Sequence, residues 1–198
     1  MKVLLINGSP RGKGCTYTAL SEIAGTLEKN GVQTEIFHIG TAAVSGCLAC
    51  GRCAKSGRCV ISDKVNEVLG RVADFDGFIF GSPVHYASAA GALLAFMDRL
   101  FHASLGVFKG KPAAAIVSCR RGGATASFDV LNKYFSISQM PIVTSLYWNM
   151  VHGQTPEQVK QDLEGMQTMR TLGENFAWLL NCIEAGKKTG VEFPKGED

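Results

Sequence analysis

Met1-Lys-Val-Leu-Leu-Ile6 runs straight into Asn7-Gly-Ser-Pro-Arg-Gly-Lys-Gly-Cys-Thr16, and a helical pattern starts near Thr16. A short apolar strand, a glycine-rich loop and a helix N-terminus, in that order, build an anion site. The loop amides and the positive end of the helix dipole face the same point. The loop is not a Walker loop, because Lys13 is followed by Gly14 and Cys15 rather than by serine or threonine. Nor is it the dinucleotide fingerprint, because Tyr17 stands where Gly12-x-Gly14 would need its third glycine. Ser9, Arg11, Gly14, Cys15 and Thr16 can surround one terminal phosphate. So compact a loop suits a monophosphate better than a pyrophosphate; the alternative is a plain turn with glycines for geometry.

Outward from this start, short apolar runs alternate with helical patterns. Strands are expected at 3–7, 34–39, 77–81, 113–118 and 142–146, and helices at 16–29, 64–73, 89–101, 125–135 and 157–185. Most of the strand runs are nearly continuously apolar, as strands covered on both faces are. The alternation predicts an α/β fold: a doubly wound parallel sheet of five strands in the order 2-1-3-4-5, with helices on both faces. The 198 residues suit one domain, interrupted by a cysteine-rich insertion at about 40–62 and closed by a loose tail at 193–198. A net charge of +3, from 20 basic and 17 acidic residues, does not suggest nucleic acid as a partner. No apolar run is long enough to cross a membrane, and residues 3–6 are too few for a signal-peptide core. A cytoplasmic protein is expected, with seven cysteines that form no disulfide framework.

Ligands of such sheets bind where the strand order reverses, at the carboxyl ends of the strands. Two further loops should reach that edge. Gly81-Ser-Pro-Val-His-Tyr86 follows the third strand, and Ser82, Pro83, Val84, His85 and Tyr86 can run along the edge of a planar ring. Its alternative is a strand end leading to a helix from Ser88. Ser118-Cys-Arg-Arg-Gly-Gly-Ala-Thr125 follows the fourth strand. There Ser118 and Arg120 offer polar contacts, and Gly122 and Gly123 permit close backbone approach. A flexible turn with solvated arginines is the alternative.

Gly8-Ser-Pro-Arg11 with Gly14-x-Thr16, Gly81 to Tyr86 with Phe96-Met-Asp-Arg99, and Gly122-Gly123 together resemble the NADPH-dependent FMN reductase and flavodoxin-like oxidoreductase superfamily. The resemblance covers nearly the whole chain up to the last helix. It implies FMN held noncovalently by the three loops, with Arg120 and Arg121 stabilising an anionic reduced flavin. It also implies a homodimer or homotetramer. Cys15 stands where many relatives carry asparagine, and His85 where tyrosine is common.

Cys47-Leu-Ala-Cys50-Gly-Arg-Cys53-Ala-Lys-Ser-Gly-Arg-Cys59 places four of the seven cysteines in one short run. Zinc sites usually show two separated knuckles, whereas this triple resembles a ferredoxin-type run. The last spacing is longer than in bacterial ferredoxins, and no proline follows Cys59. The pattern is similar to that of the iron–sulfur flavoproteins, a branch of the same superfamily, and so implies a [4Fe–4S] cluster on Cys47, Cys50, Cys53 and Cys59. Arg52, Lys55 and Arg58 would balance its charge. Zinc, and no metal at all, stay open as readings of the residues. Cys119 and Cys182 read as buried core, and Cys15, at a helix N-terminus, as either a thiol of lowered pKa or a passive loop residue.

The expected activity is that of an FMN-dependent oxidoreductase. Electrons pass from NAD(P)H, or from ferredoxin if a cluster is present, to a small acceptor such as a quinone or flavin. A pure electron carrier, or a redox- or metal-sensing module built on the cysteine loop, is the alternative.

Overall fold

The computed structural model describes residues 1–194; the end of the expected tail, from 195 on, lies outside the described residues. The chain opens with β1 (Lys2–Asn7), α1 (Cys15–Lys29) and β2 (Gln33–His38). The long insertion contains one helical turn, α2 (Cys53–Ser56), and leads to α3 (Lys64–Leu69) and a 3-10 turn at Val72–Asp74. Then come β3 (Gly77–His85), β4 (Ser88–Ala89), α4 (Gly91–Ala103), β5 (Ala113–Cys119) and α5 (Ala124–Ile137). The last elements are β6 (Met150–His152), α6 (Pro156–Gln161) and α7 (Leu163–Lys188).

Five strands pair in parallel in the order β2-β1-β3-β5-β6, and β4 pairs antiparallel with β3. This is the expected flavodoxin-like order with one short strand added, so the sheet has six strands rather than five. Its two faces form separate cores because side chains alternate along a strand. Leu4, Ile6, Phe78, Phe80, Ala115 and Val117 face α3, α4 and α5, where Val65, Phe96, Leu100 and Phe135 meet them. Val3, Leu5, Ile79, Ala114 and Ile116 face α1 and α7, where Leu20, Ile23, Met169 and Phe176 cover them. That is why the strand runs read as continuously apolar. Among the described residues no helix is long and apolar enough to cross a membrane.

Three expectations are corrected. The fifth parallel strand is not 142–146 but Met150–His152. Ile142 makes one bridge to Ala113 and the chain then leaves the sheet. It returns at Asn149, whose buried side-chain Nδ2 donates to the Ala115 carbonyl (3.0 Å) in place of a ladder amide. No helix begins at Ser88: residues 84–89 form a two-residue hairpin, pairing Val84 with Ala89 and His85 with Ser88. Tyr86 turns it at φ +59°. The last helix, expected unbroken over 157–185, is interrupted at Asp162.

Asp162 explains the break. Its Oδ1 accepts from the Gly165 amide (3.0 Å) and caps α7, while its Oδ2 accepts from the His152 amide (2.6 Å) on β6. One carboxylate thus ties the edge strand to the start of α7. Asp162→Ala should lower stability by about 1–3 kcal/mol, read as a lower urea midpoint at unchanged m-value.

Candidate functional site

The carboxyl ends of β1, β3, β5 and β6 open into one cleft of about 310 Å³. Ser9, Pro10, Arg11, Cys15 and Thr16 line it from the first loop, and Pro83, Val84 and His85 from β3. Ser118, Cys119 and Arg120 line it from the end of β5, and Gly153 and Gln154 from the turn after β6. The three loops picked out in the sequence therefore meet. Gly153 and Gln154 carry no motif; their place follows from β6 lying beside β5.

The first loop is organised by Asn7, which the sequence did not single out. Fully buried at the end of β1, it accepts from the Ser9 amide (3.1 Å) and donates to the Gly12 carbonyl (3.1 Å). Ser9 Oγ in turn accepts from the Arg11 amide (3.1 Å). His38 Nε2 lies 2.8 Å from the Ser9 carbonyl, so that nitrogen carries the proton. At the start of α1, Gly14 supplies no side-chain cap and the first turn has no acidic residue. Its amides have no acceptor inside their own helix. Arg11 and Arg120 line the cleft and, among its described lining residues, none is acidic. The electrostatics are those of an anion site.

The cleft floor is a hydroxyl pair: Thr16 Oγ1 and Ser118 Oγ sit 2.8 Å apart, both buried, bridging the first and third loops. Gly123 has φ +87°, and a Cβ there would lie 2.9 Å from Val84 Cγ1, so the third loop is pressed onto the hairpin. Gly14 and Gly122 shape their turns without lining the cleft. Two residues are corrected. Ser82 is buried, donating to the Pro83 carbonyl and accepting from the Ala90 amide (both 2.9 Å), and so it holds the hairpin. Tyr86 stands fully exposed at the hairpin tip.

Cys15 does not behave as a low-pKa thiol. Burial pushes its pKa up, and this outweighs its own backbone hydrogen bond and the nearby Arg11. Of the two remaining cysteines, Cys119 is buried as expected, but Cys182 is exposed on α7.

The four clustered cysteines gather in a second place. Cys47, Cys50, Cys53 and Cys59 line one pocket with Leu48, Val60, Ile61, Arg99, His102 and Ala103. The Ala49 amide donates to Cys47 Sγ (3.4 Å), and Arg99 Nε donates to Cys59 Sγ (3.2 Å). Arg52 and Arg58, expected to balance the thiolates, are exposed and do not line the pocket; neither does Lys55. The cation at the sulfur is Arg99 of α4, which the sequence offered only within the Phe96-Met-Asp-Arg99 motif and not as a partner of the cysteines. Among the described residues no three His, Cys, Asp or Glu side chains converge to hold a single metal ion. Four thiols line one cavity, and N–H donors are aimed at two of the sulfurs.

Asn7→Ala should leave the Ser9 amide and Gly12 carbonyl without partners, costing about 1–3 kcal/mol and speeding amide exchange across 8–14. Alkylation of Cys15, followed by mass spectrometry, should rise only at a pH above that of an ordinary thiol.

Residues 1–155 match the NADPH-dependent FMN reductase family. An iron–sulfur flavoprotein of Methanocaldococcus jannaschii is 31% identical over 192 residues, covering 93% of this chain and 100% of that protein. One of Archaeoglobus fulgidus is 29% identical over 193 residues, covering 90% and 97%. Among solved structures, an archaeal flavodoxin aligns with TM-score 0.61 at 15% identity, covering 91% of this chain and 99% of that one. The fold agrees with these likenesses, and the chain belongs to the NADPH-dependent FMN reductase family, in its iron–sulfur flavoprotein branch.

Proposed function

We propose that this chain is an FMN-dependent oxidoreductase carrying electrons from a reduced donor, NAD(P)H or ferredoxin, to a small acceptor such as a quinone or flavin. The observation that carries this reading is the cleft itself. An uncapped helix N-terminus, two arginines and no acidic lining residue lie beside the strand-end segments that can flank a planar ring. Ser9, Arg11, Cys15, Thr16 and the first-turn amides of α1 would hold the FMN phosphate. Pro83, Val84, His85, Ser118 and Arg120 would flank the ring. FMN, when bound, supplies reversible electron uptake, and the chain supplies binding, orientation and electrostatics. Positive charge from Arg120 favours the flavin in its anionic reduced form.

The pocket of Cys47, Cys50, Cys53 and Cys59 supports a [4Fe–4S] cluster, which supplies single-electron transfer when bound. Leu146, Tyr147 and Trp148 are exposed just before β6 and support a homodimer or homotetramer. The thiol-rich loop fits a reducing compartment such as the cytoplasm.

The test is the iron, sulfide, zinc and flavin content of anaerobically purified protein. About four irons and one FMN per chain are expected. Zinc in place of iron, or no metal, would remove the cluster while leaving the flavin enzyme; absence of flavin would overturn the whole reading. Turnover with NAD(P)H and a quinone, without a protein partner, would exclude a pure electron carrier.

A further inference from the structure

Among the described residues, Arg99 is the one buried charged side chain, 1% exposed on the inner face of α4. A buried guanidinium is costly unless its charge is countered and its donors are used. Asp63 counters it through both oxygens, accepting from Nη1 at 2.6 Å and from Nη2 at 2.9 Å. Nη1 also donates to the Ser45 carbonyl (3.3 Å) and Nη2 to the Ile61 carbonyl (3.2 Å). The fifth donor, Nε, is aimed at Cys59 Sγ.

That last choice is the informative one. A neutral thiol is a weak acceptor, a poor partner for a buried cation. A thiolate bound to a cluster makes the contact a charge-assisted hydrogen bond. Cys59 is also held through its backbone. Asn66 Oδ1 accepts from its amide (2.9 Å), and Asn66 Nδ2 donates to its carbonyl (2.8 Å). Cys47 and Cys50, by contrast, are exposed. Cys53 is half-buried like Cys59, but its thiol meets the His102 carbonyl (3.9 Å); among the described residues Cys59 is the ligand candidate with a cation at its sulfur.

We propose that Arg99 is a positioning residue for the cluster, fixing Cys59 as the anchored ligand and raising the cluster's reduction potential through its N–H···S bond. This rests on the cysteine loop holding an iron–sulfur cluster. Donors to a ligand sulfur stabilise the more negative, reduced state and so raise the potential.

The experiment compares anaerobically reconstituted wild type with Arg99→Lys, Arg99→Gln and Asp63→Asn. If wild type takes up no iron and sulfide, the cluster reading fails, and that result is distinct from any effect of Arg99. With wild type loaded, both Arg99 variants should show a more negative cluster potential. They should also lose iron to a chelator about tenfold or more faster, with FMN loading unchanged. Asp63→Asn leaves the N–H···S donor in place and removes a negative charge, so it should not lower the potential. Potentials of both Arg99 variants equal to wild type, or an equal fall in all three variants, would overturn the assignment and leave Arg99 a structural staple. If the Arg99 variants do not fold, wild type labelled with [15N]arginine decides. Pulsed EPR of the reduced cluster should show coupling to an arginine nitrogen, and its absence overturns the proposal.

Discussion

A parallel sheet buried on both faces leaves its chain one open edge at which to work. The five parallel strands, covered by α3, α4 and α5 on one side and α1 and α7 on the other, deliver their following segments to the same carboxyl edge. β1 and β3 are neighbours there although β2 lies between them in sequence. The chain therefore leaves them in opposite directions and opens a crevice. The Gly8 amide donates to the Gly81 carbonyl (2.8 Å) at this point, and a Cβ on Gly8 would lie 2.9 Å from that oxygen. Close contact at the base and divergence above it create the cleft, and each lining residue inherits its place from that geometry.

What could be read from the sequence was what local chemistry determines. β1, the first loop and α1 follow from a continuous apolar run, glycines and a helix start, and they stand where expected. The last parallel strand was misplaced because 142–146 is the more apolar run. Strand position there is set by Asn149, whose amide replaces a backbone donor across the sheet. The hairpin at 84–89 was unreadable because its turn is Tyr86-Ala87, with no glycine or asparagine to announce a positive φ. The break at Asp162 was hidden because aspartate is tolerated inside helices. Its role appears only when β6 brings the His152 amide to it.

The same division holds at the site. Backbone-driven features, the glycine-rich first loop and the cysteine spacing, leave a trace in residue order. Long-range side-chain features do not. His38 and Arg99 each hold a segment distant in sequence, at the Ser9 carbonyl and at Cys59, and no residue spacing announces either contact. Arg99 and the hairpin also share α4. The helix follows Ala90, which is held by Ser82, and it carries Arg99 and His102 to the cysteine pocket. Its 13 residues form a bar about 20 Å long between the two regions.

The contact of Gly123 with Val84 bears on how this scaffold can vary. With 2.9 Å left for any added carbon and a backbone in the left-handed region, the third loop has no slack against the hairpin. The two walls they form behave as a single mechanical part. Larger or smaller ligands cannot be accommodated by trimming either loop alone; divergence in ligand size within such a scaffold has to proceed by paired changes in 81–89 and 118–125.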